Sequence, residues 1–79
     1  MPTAIDAKLQ DVFRAVFNLP ATRDATTVTQ ASEKNWDSLA HAMLVAALES
    51  EFGVAIDTTD ALDMTSYETT RQVLEEKLG

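Results

Sequence analysis

Residues 35–54 read Asn35-Trp36-Asp37-Ser38-Leu39-Ala40-His41-Ala42-Met43-Leu44-Val45-Ala46-Ala47-Leu48-Glu49-Ser50-Glu51-Phe52-Gly53-Val54. This stretch starts, runs and stops as a helix. Asp37 or Ser38 supplies an N-cap, because a short oxygen-bearing side chain there accepts from an otherwise orphaned backbone N–H. Ala40, Ala42, Ala46 and Ala47 are strong helix formers with little bulk. Leu39, Leu44, Val45, Leu48 and Phe52 are expected to form the inward stripe. Gly53 ends the helix, since glycine enters the left-handed conformation without steric cost. Val54 and Ile56 then alternate with small or polar residues, as a short extended link does.

Working outward, the upstream segment predicts a helix from about Thr3 to Asn18. Ile5, Leu9, Val12, Phe13, Val16 and Phe17 fall on one face at the helical period. Thr3 is its expected N-cap, Asp6 lies in the first turn where the helix dipole favours a carboxylate, and Pro20 is the expected stop. Between the two helices, residues 19–36 form a long loop with Thr22, Thr26, Thr27, Thr29 and Ser32 and no sustained apolar period. A loop of that length in a small domain has a function or packs on itself. Val28 and Trp36 are its expected anchors. Downstream, Asp60–Met64 gives one or two helical turns. Thr65-Ser66-Tyr67-Glu68 matches a capping box with Thr65 at the N-cap, opening a last helix from about Ser66 to Leu78. Tyr67, Thr70, Val73, Leu74 and Leu78 make its apolar face. The fold class expected is all-α: a small four-helix bundle with three longer helices, a short third helix, and a long loop between helices one and two.

Seventy-nine residues hold one domain, residues 1–79, because a second core does not fit. At 46% hydrophobic the composition is globular rather than disordered. With no cysteine and one histidine, disulfide frameworks, thiolate metal sites and multi-histidine zinc sites are excluded. No apolar run reaches the length of a membrane span. No secretory signal is visible in Met1–Asp6, so the cytoplasm is the expected location and a monomer the expected state.

Charge is unevenly placed. Residues 1–34 carry Asp6, Asp11, Asp24 and Glu33 against Lys8, Arg14, Arg23 and Lys34, and residues 71–79 carry Glu75 and Glu76 against Arg71 and Lys77. From Asn35 to Thr70 there is no Lys or Arg, while Asp37, Glu49, Glu51, Asp57, Asp60, Asp63 and Glu68 supply the whole net charge of -7. Nucleic-acid binding is disfavoured, since it needs clustered cations. A basic protein partner is favoured by complementary fields. The alternative is an acidic surface that serves solubility alone.

Ser38 is the residue type best placed for chemistry. Its hydroxyl projects from the exposed start of a rigid element, where free N–H groups and the dipole suit an anion. A phosphodiester on Ser38 meets that description, and so does a serine or Asp37 that merely caps the helix. A hydrolase built from Ser38, His41 and Asp37 has the right residue types in the wrong setting. Neighbouring helix positions do not give the nucleophile–base–orienter geometry, and there is no G-x-S-x-G elbow.

The chain resembles the acyl carrier proteins. Asp37-Ser38-Leu39 matches the D-S-L motif of that family near the middle of a chain of similar length. Leu48-Glu49-Ser50-Glu51-Phe52-Gly53-Val54 is similar to its L-E-x-E-F-G-V/I run, Ile56 and Asp57 continue it, and Thr65-Ser66 resembles the threonine-rich entry to its fourth helix. The resemblance covers residues 3–78. It implies that Ser38, flanked by Asp37 and Leu39, carries 4'-phosphopantetheine, making the chain a phosphoprotein. A separate magnesium-dependent phosphopantetheinyl transferase attaches that arm from coenzyme A. The arm's thiol holds acyl intermediates as thioesters, and the chain itself is no enzyme. Loading and processing enzymes with basic patches are the implied partners, docking on Ala40, His41, Met43, Glu49, Glu51, Asp57 and Asp60. Ala40 and Met43 stand where housekeeping carriers of fatty acid synthesis have acids, and Trp36 stands where a small residue is common. The W-D-S-L-x-H variant therefore resembles stand-alone carriers of dedicated pathways, such as surface-polysaccharide, aminoacyl or secondary-metabolite routes, within the broader class of fatty acid, polyketide or specialised biosynthesis. An aminoacyl or peptidyl carrier, and an unmodified acidic helical module, are the alternatives.

Trp36 and His41 have two readings each. Trp36 either packs in the core or takes part in recognition; His41 either shapes docking or stands half-exposed without a role. Phe13, Phe17 and Phe52 are expected in the core, where they would also line any seam that shelters an acyl chain.

Overall fold

The computed structural model describes residues 4–79. Four α-helices follow in order: α1 (Ala4–Phe17), α2 (Ser38–Phe52), α3 (Thr58–Asp63) and α4 (Tyr67–Leu78), with a 3-10 turn at Ala25–Thr27 in the long loop. The described residues form an all-helical bundle without strands, and one isolated antiparallel bridge joins Thr29 to Ser66. The proposed N-cap Thr3 lies outside the described residues.

Helix α1 ends before Pro20 is reached. Asn18 turns left-handed at φ 54, and the Leu19 N–H donates to the Arg14 carbonyl at 3.0 Å. That is a Schellman closure with asparagine in the position glycine usually takes. Asn35 adds to it, its side-chain amide donating to the Phe17 carbonyl at 3.2 Å.

The core is aromatic at its centre. Phe13 is fully buried and meets the rings of Phe17, Trp36 and Tyr67 at 5.3, 5.6 and 5.1 Å, edge to face in each case. Such pairs add roughly 0.5–1.5 kcal/mol each beyond the area they bury. Leu9, Leu44, Leu48, Met64 and Leu74 complete the buried shell. Phe52 departs from the expectation: it is half-buried at the end of α2, with the Lys8 ammonium 5.9 Å from its ring.

The long loop is pinned along its length. Val28 and Trp36 are buried as anticipated. The Gln30 N–H donates to the Thr65 carbonyl at 2.8 Å, and the Tyr67 N–H to the Val28 carbonyl at 2.9 Å. Glu33 is buried too, its carboxylate accepting from the Asn35 N–H at 3.0 Å and facing Arg23 at 3.8 Å.

Two helix starts shift from the sequence reading. Helix α4 is capped by Ser66, not Thr65, and the reciprocal partner is Thr69, not Glu68. The bridge to Thr29 holds Ser66 extended and so sets the register. Helix α3 runs Thr58–Asp63 rather than Asp60–Met64, because Asp57 caps it, accepting from the Asp60 N–H at 2.8 Å. The ends of the chain are clamped by Asp6, which accepts from the Tyr67 hydroxyl at 3.0 Å and from Arg71 at 2.9 Å. Burial first, then the Asp6 carboxylate, pushes the Tyr67 phenol well above its ordinary range.

Candidate functional site

The entry to α2 is built on Trp36. Its indole is 4% exposed, edge-on to Phe13 and 4.7 Å from the Phe17 ring. Two residues later Ser38 is exposed, as the first residue of the helix. Between them Asp37 is extended, and its carboxylate accepts from the Ala40 N–H at 2.8 Å, which makes it the N-cap. A buried anchor, a cap and a helix therefore fix where the Ser38 hydroxyl stands. That hydroxyl makes no hydrogen bond among the described residues. It borders a pocket of about 230 Å3 lined by Gln30, Ser38, His41, Ala61, Leu62 and Met64.

His41 is neither idle nor free. The Trp36 indole N–H donates to its Nδ1 at 2.9 Å, and its Nε2 lies 2.8 Å from the Ala61 carbonyl. An indole nitrogen only donates, so Nδ1 accepts and the ring proton sits on Nε2, aimed at Ala61. Both ring nitrogens are thus occupied, and Asp37 is occupied with Ala40. Ser38 has no hydrogen bond to His41, whose two nitrogens are engaged elsewhere, so the serine–histidine pair of a hydrolase is absent among the described residues.

The structure corrects two placements. Leu39, expected in the inward stripe, is 71% exposed. Ala40, expected on the docking surface, is 8% exposed and faces the core, because it lies nearly half a turn around the helix from Ser38. The outward face of α2 beside Ser38 is Leu39, Ala42, Met43 and Ala46, all exposed and all uncharged. This matches the reading that the face next to the serine is less anionic, and the acids named for docking lie away from it. Glu49 folds back to accept from the Ile56 N–H at 2.9 Å, closing the turn after α2. Asp57 caps α3. Asp60 pairs with Lys77 at 2.6 Å, and this bond holds its carboxyl below the usual range. Glu51 is exposed at the far end of α2, on a groove against α1 that it shares with Lys8, Asp11 and Ala47. Met43 is half-exposed, one turn from Leu39.

Sequence reasoning missed Gln30, Ala61, Leu62 and Met64 as neighbours of Ser38. Leu62 had a signal: a large apolar residue, now 73% exposed, in an element too short to bury it.

No family model matches the chain, and no curated protein does. Among solved structures, the chain is similar to the solution NMR structure of a holo acyl carrier protein from Geobacter metallireducens. The TM-score is 0.80 at 26% identity, covering 99% of this chain and 87% of that one. The chain has the four-helix fold of an acyl carrier protein, which is a carrier's architecture and not a catalyst's.

Proposed function

We propose that residues 1–79 form one acyl carrier domain whose Ser38 bears a 4'-phosphopantetheine arm. Carrying this reading is the placement of Ser38: an exposed hydroxyl, two residues past a buried anchor, at the start of a capped helix and beside an open pocket. These features fit the group. The hydroxyl is accessible to a modifying enzyme, the helix N-terminus suits a phosphodiester anion, and the pocket offers room next to the attachment point. In the transfer, Ser38 Oγ bonds to phosphorus, the anhydride bond of coenzyme A breaks, adenosine 3',5'-bisphosphate leaves, and the hydroxyl proton passes to the transferase. The bound arm supplies a thiol, which this cysteine-free chain lacks, for carrying acyl groups as thioesters.

The partners are a phosphopantetheinyl transferase and acyl-loading and acyl-processing enzymes of a specialised cytoplasmic pathway. Their docking sites combine an apolar spot for Leu39 and Met43 with basic groups for Glu51, Asp57 and Asp60. The uncharged outer face of α2 supports specialised partners over housekeeping ones, which would meet acids there. Loading by a housekeeping malonyl transferase followed by full fatty acid elongation overturns that part.

Intact-protein mass spectrometry after incubation with coenzyme A, magnesium and promiscuous transferases tests the core of the reading. One phosphopantetheinyl group is expected, mapped to Ser38 and absent from Ser38→Ala. An unmodified Ser38 across several transferases overturns it and leaves an acidic interaction module. The mass of the protein from native cells then separates acyl from aminoacyl or peptidyl cargo.

A further inference from the structure

Helix α3 walls the pocket beside Ser38 and meets the core through the partly buried Ala61 and the buried Met64 at its C-terminal cap. It has six residues, none of them buried. Its capping box is internal to itself. One outside tie is Asp60 to Lys77 on α4 at 2.6 Å, with side chains 23% and 25% exposed. A second is the Ala61 carbonyl accepting from His41 Nε2 on α2. The imidazole that makes this bond is itself fixed, because the buried Trp36 indole donates to its other nitrogen and stacks near it at 6.1 Å. A rigid relay therefore runs from the aromatic core through Trp36 and His41 into α3, and the next residue after Ala61 is the exposed Leu62 on the pocket rim.

We propose that His41 is a positioning residue: held by Trp36, it ties α3 to α2, sets Leu62 against the pocket beside Ser38, and thereby sets the fit of the enzymes that act on that serine. The last clause rests on the carrier reading; the tie itself does not. The same relay accounts for the pairing of tryptophan before the serine with histidine after it. An indole donor needs an acceptor one turn into the helix, and an imidazole that accepts on one nitrogen has a donor left for α3.

The test uses the full chain with His41→Leu and His41→Gln. Leucine removes both bonds. Glutamine keeps an acceptor and a donor on one planar amide of similar reach. Amide hydrogen exchange over Thr58–Asp63 and the indole N–H resonance of the sole tryptophan report the tie. Steady-state KM and kcat for a phosphopantetheinyl transferase report the fit. In His41→Leu, exchange across α3 is expected to rise about fivefold and KM about fivefold, the ratio one neutral hydrogen bond carries. The indole resonance moves, while kcat and the exchange of α1 stay within about twofold. His41→Gln restores exchange and KM to within about twofold of the parent. Unchanged exchange in α3 overturns the tie, and so does a glutamine variant that behaves like leucine. Raised exchange with unchanged KM overturns the role in fit. If the parent protein takes no arm, the carrier reading and the role in fit fail together, and exchange alone decides the tie.

Discussion

Replacing Asp37 separates what its carboxylate does for the helix from what its charge does for the site. The side chain accepts from the Ala40 N–H at 2.8 Å and is the N-cap of α2. Loss of such a cap costs about 1 kcal/mol and up to about 2. A carboxylate at a helix N-terminus contributes a further ~0.3–1 kcal/mol through the dipole. Asp37→Ala loses both, about 1.3–3 kcal/mol, whereas Asp37→Asn keeps the acceptor and loses about 0.3–1 kcal/mol. For 79 residues the total stability is on the order of 4–12 kcal/mol, so the alanine variant remains folded but weakened. With a urea slope of about 1 kcal/mol per M, the midpoint falls by about 1.3–3 M for alanine and about 0.3–1 M for asparagine. Trp36 lies next to Asp37 in a buried aromatic setting, so urea unfolding followed by its emission reads the site directly. A shift below about 0.3 M for Asp37→Ala, or equal shifts for alanine and asparagine, refutes the assignment of Asp37 as cap.

Phe13→Leu removes three edge-to-face ring contacts with little change in volume. About 2–3 kcal/mol of destabilisation and a melting point lower by about 10–20 °C are expected by thermal unfolding. The Asp60–Lys77 pair gives a pH signature. The Asp60 carboxyl is held below its ordinary value of 3.8, chiefly by the hydrogen bond from Lys77, so its stabilisation is present above that value and lost as pH falls through the folded pKa. The Lys77 ammonium is raised above 10.5 by the same bond, so its share is present below that pH and lost as pH climbs past it. Urea midpoints of the parent and Asp60→Asn should differ by a constant amount between about pH 5 and 9 and converge below about pH 4.

The bundle was legible where one face of a helix is apolar and the other is not. Helix α1 has that pattern, and its expected core positions Leu9, Val12, Phe13 and Phe17 are buried. Helix α2 lacks it: Leu39 and Met43 on one side and Leu44 and Leu48 on the other leave no unique face in the pattern, and Leu39 was assigned inward although it faces out. The α4 cap was misplaced by one residue because Thr65 and Ser66 are both good caps. The choice falls to Thr29, thirty-seven positions upstream of Ser66, which no local rule can see. The partners of His41 were hidden for the same reason. One of them, Ala61, contributes a backbone carbonyl, which leaves no trace in side-chain chemistry. The exposure of Ser38 and the burial of Trp36 were both legible, since they follow from a cap and an anchor within three residues.

The clamp between the two ends of the chain has a consequence for timing. Asp6 waits for a hydroxyl 61 positions later and a guanidinium 65 positions later, and Val28 waits for the amide of Tyr67. During synthesis the first three helices thus emerge with Phe13 and its neighbours uncovered. The twelve residues of α4 take on the order of a second to follow at ribosomal speed. Until they arrive, the segment leading to Ser38 lacks the strut that Tyr67 gives it. Any enzyme that recognises the finished surface around Ser38 therefore meets it only once Tyr67 is in place.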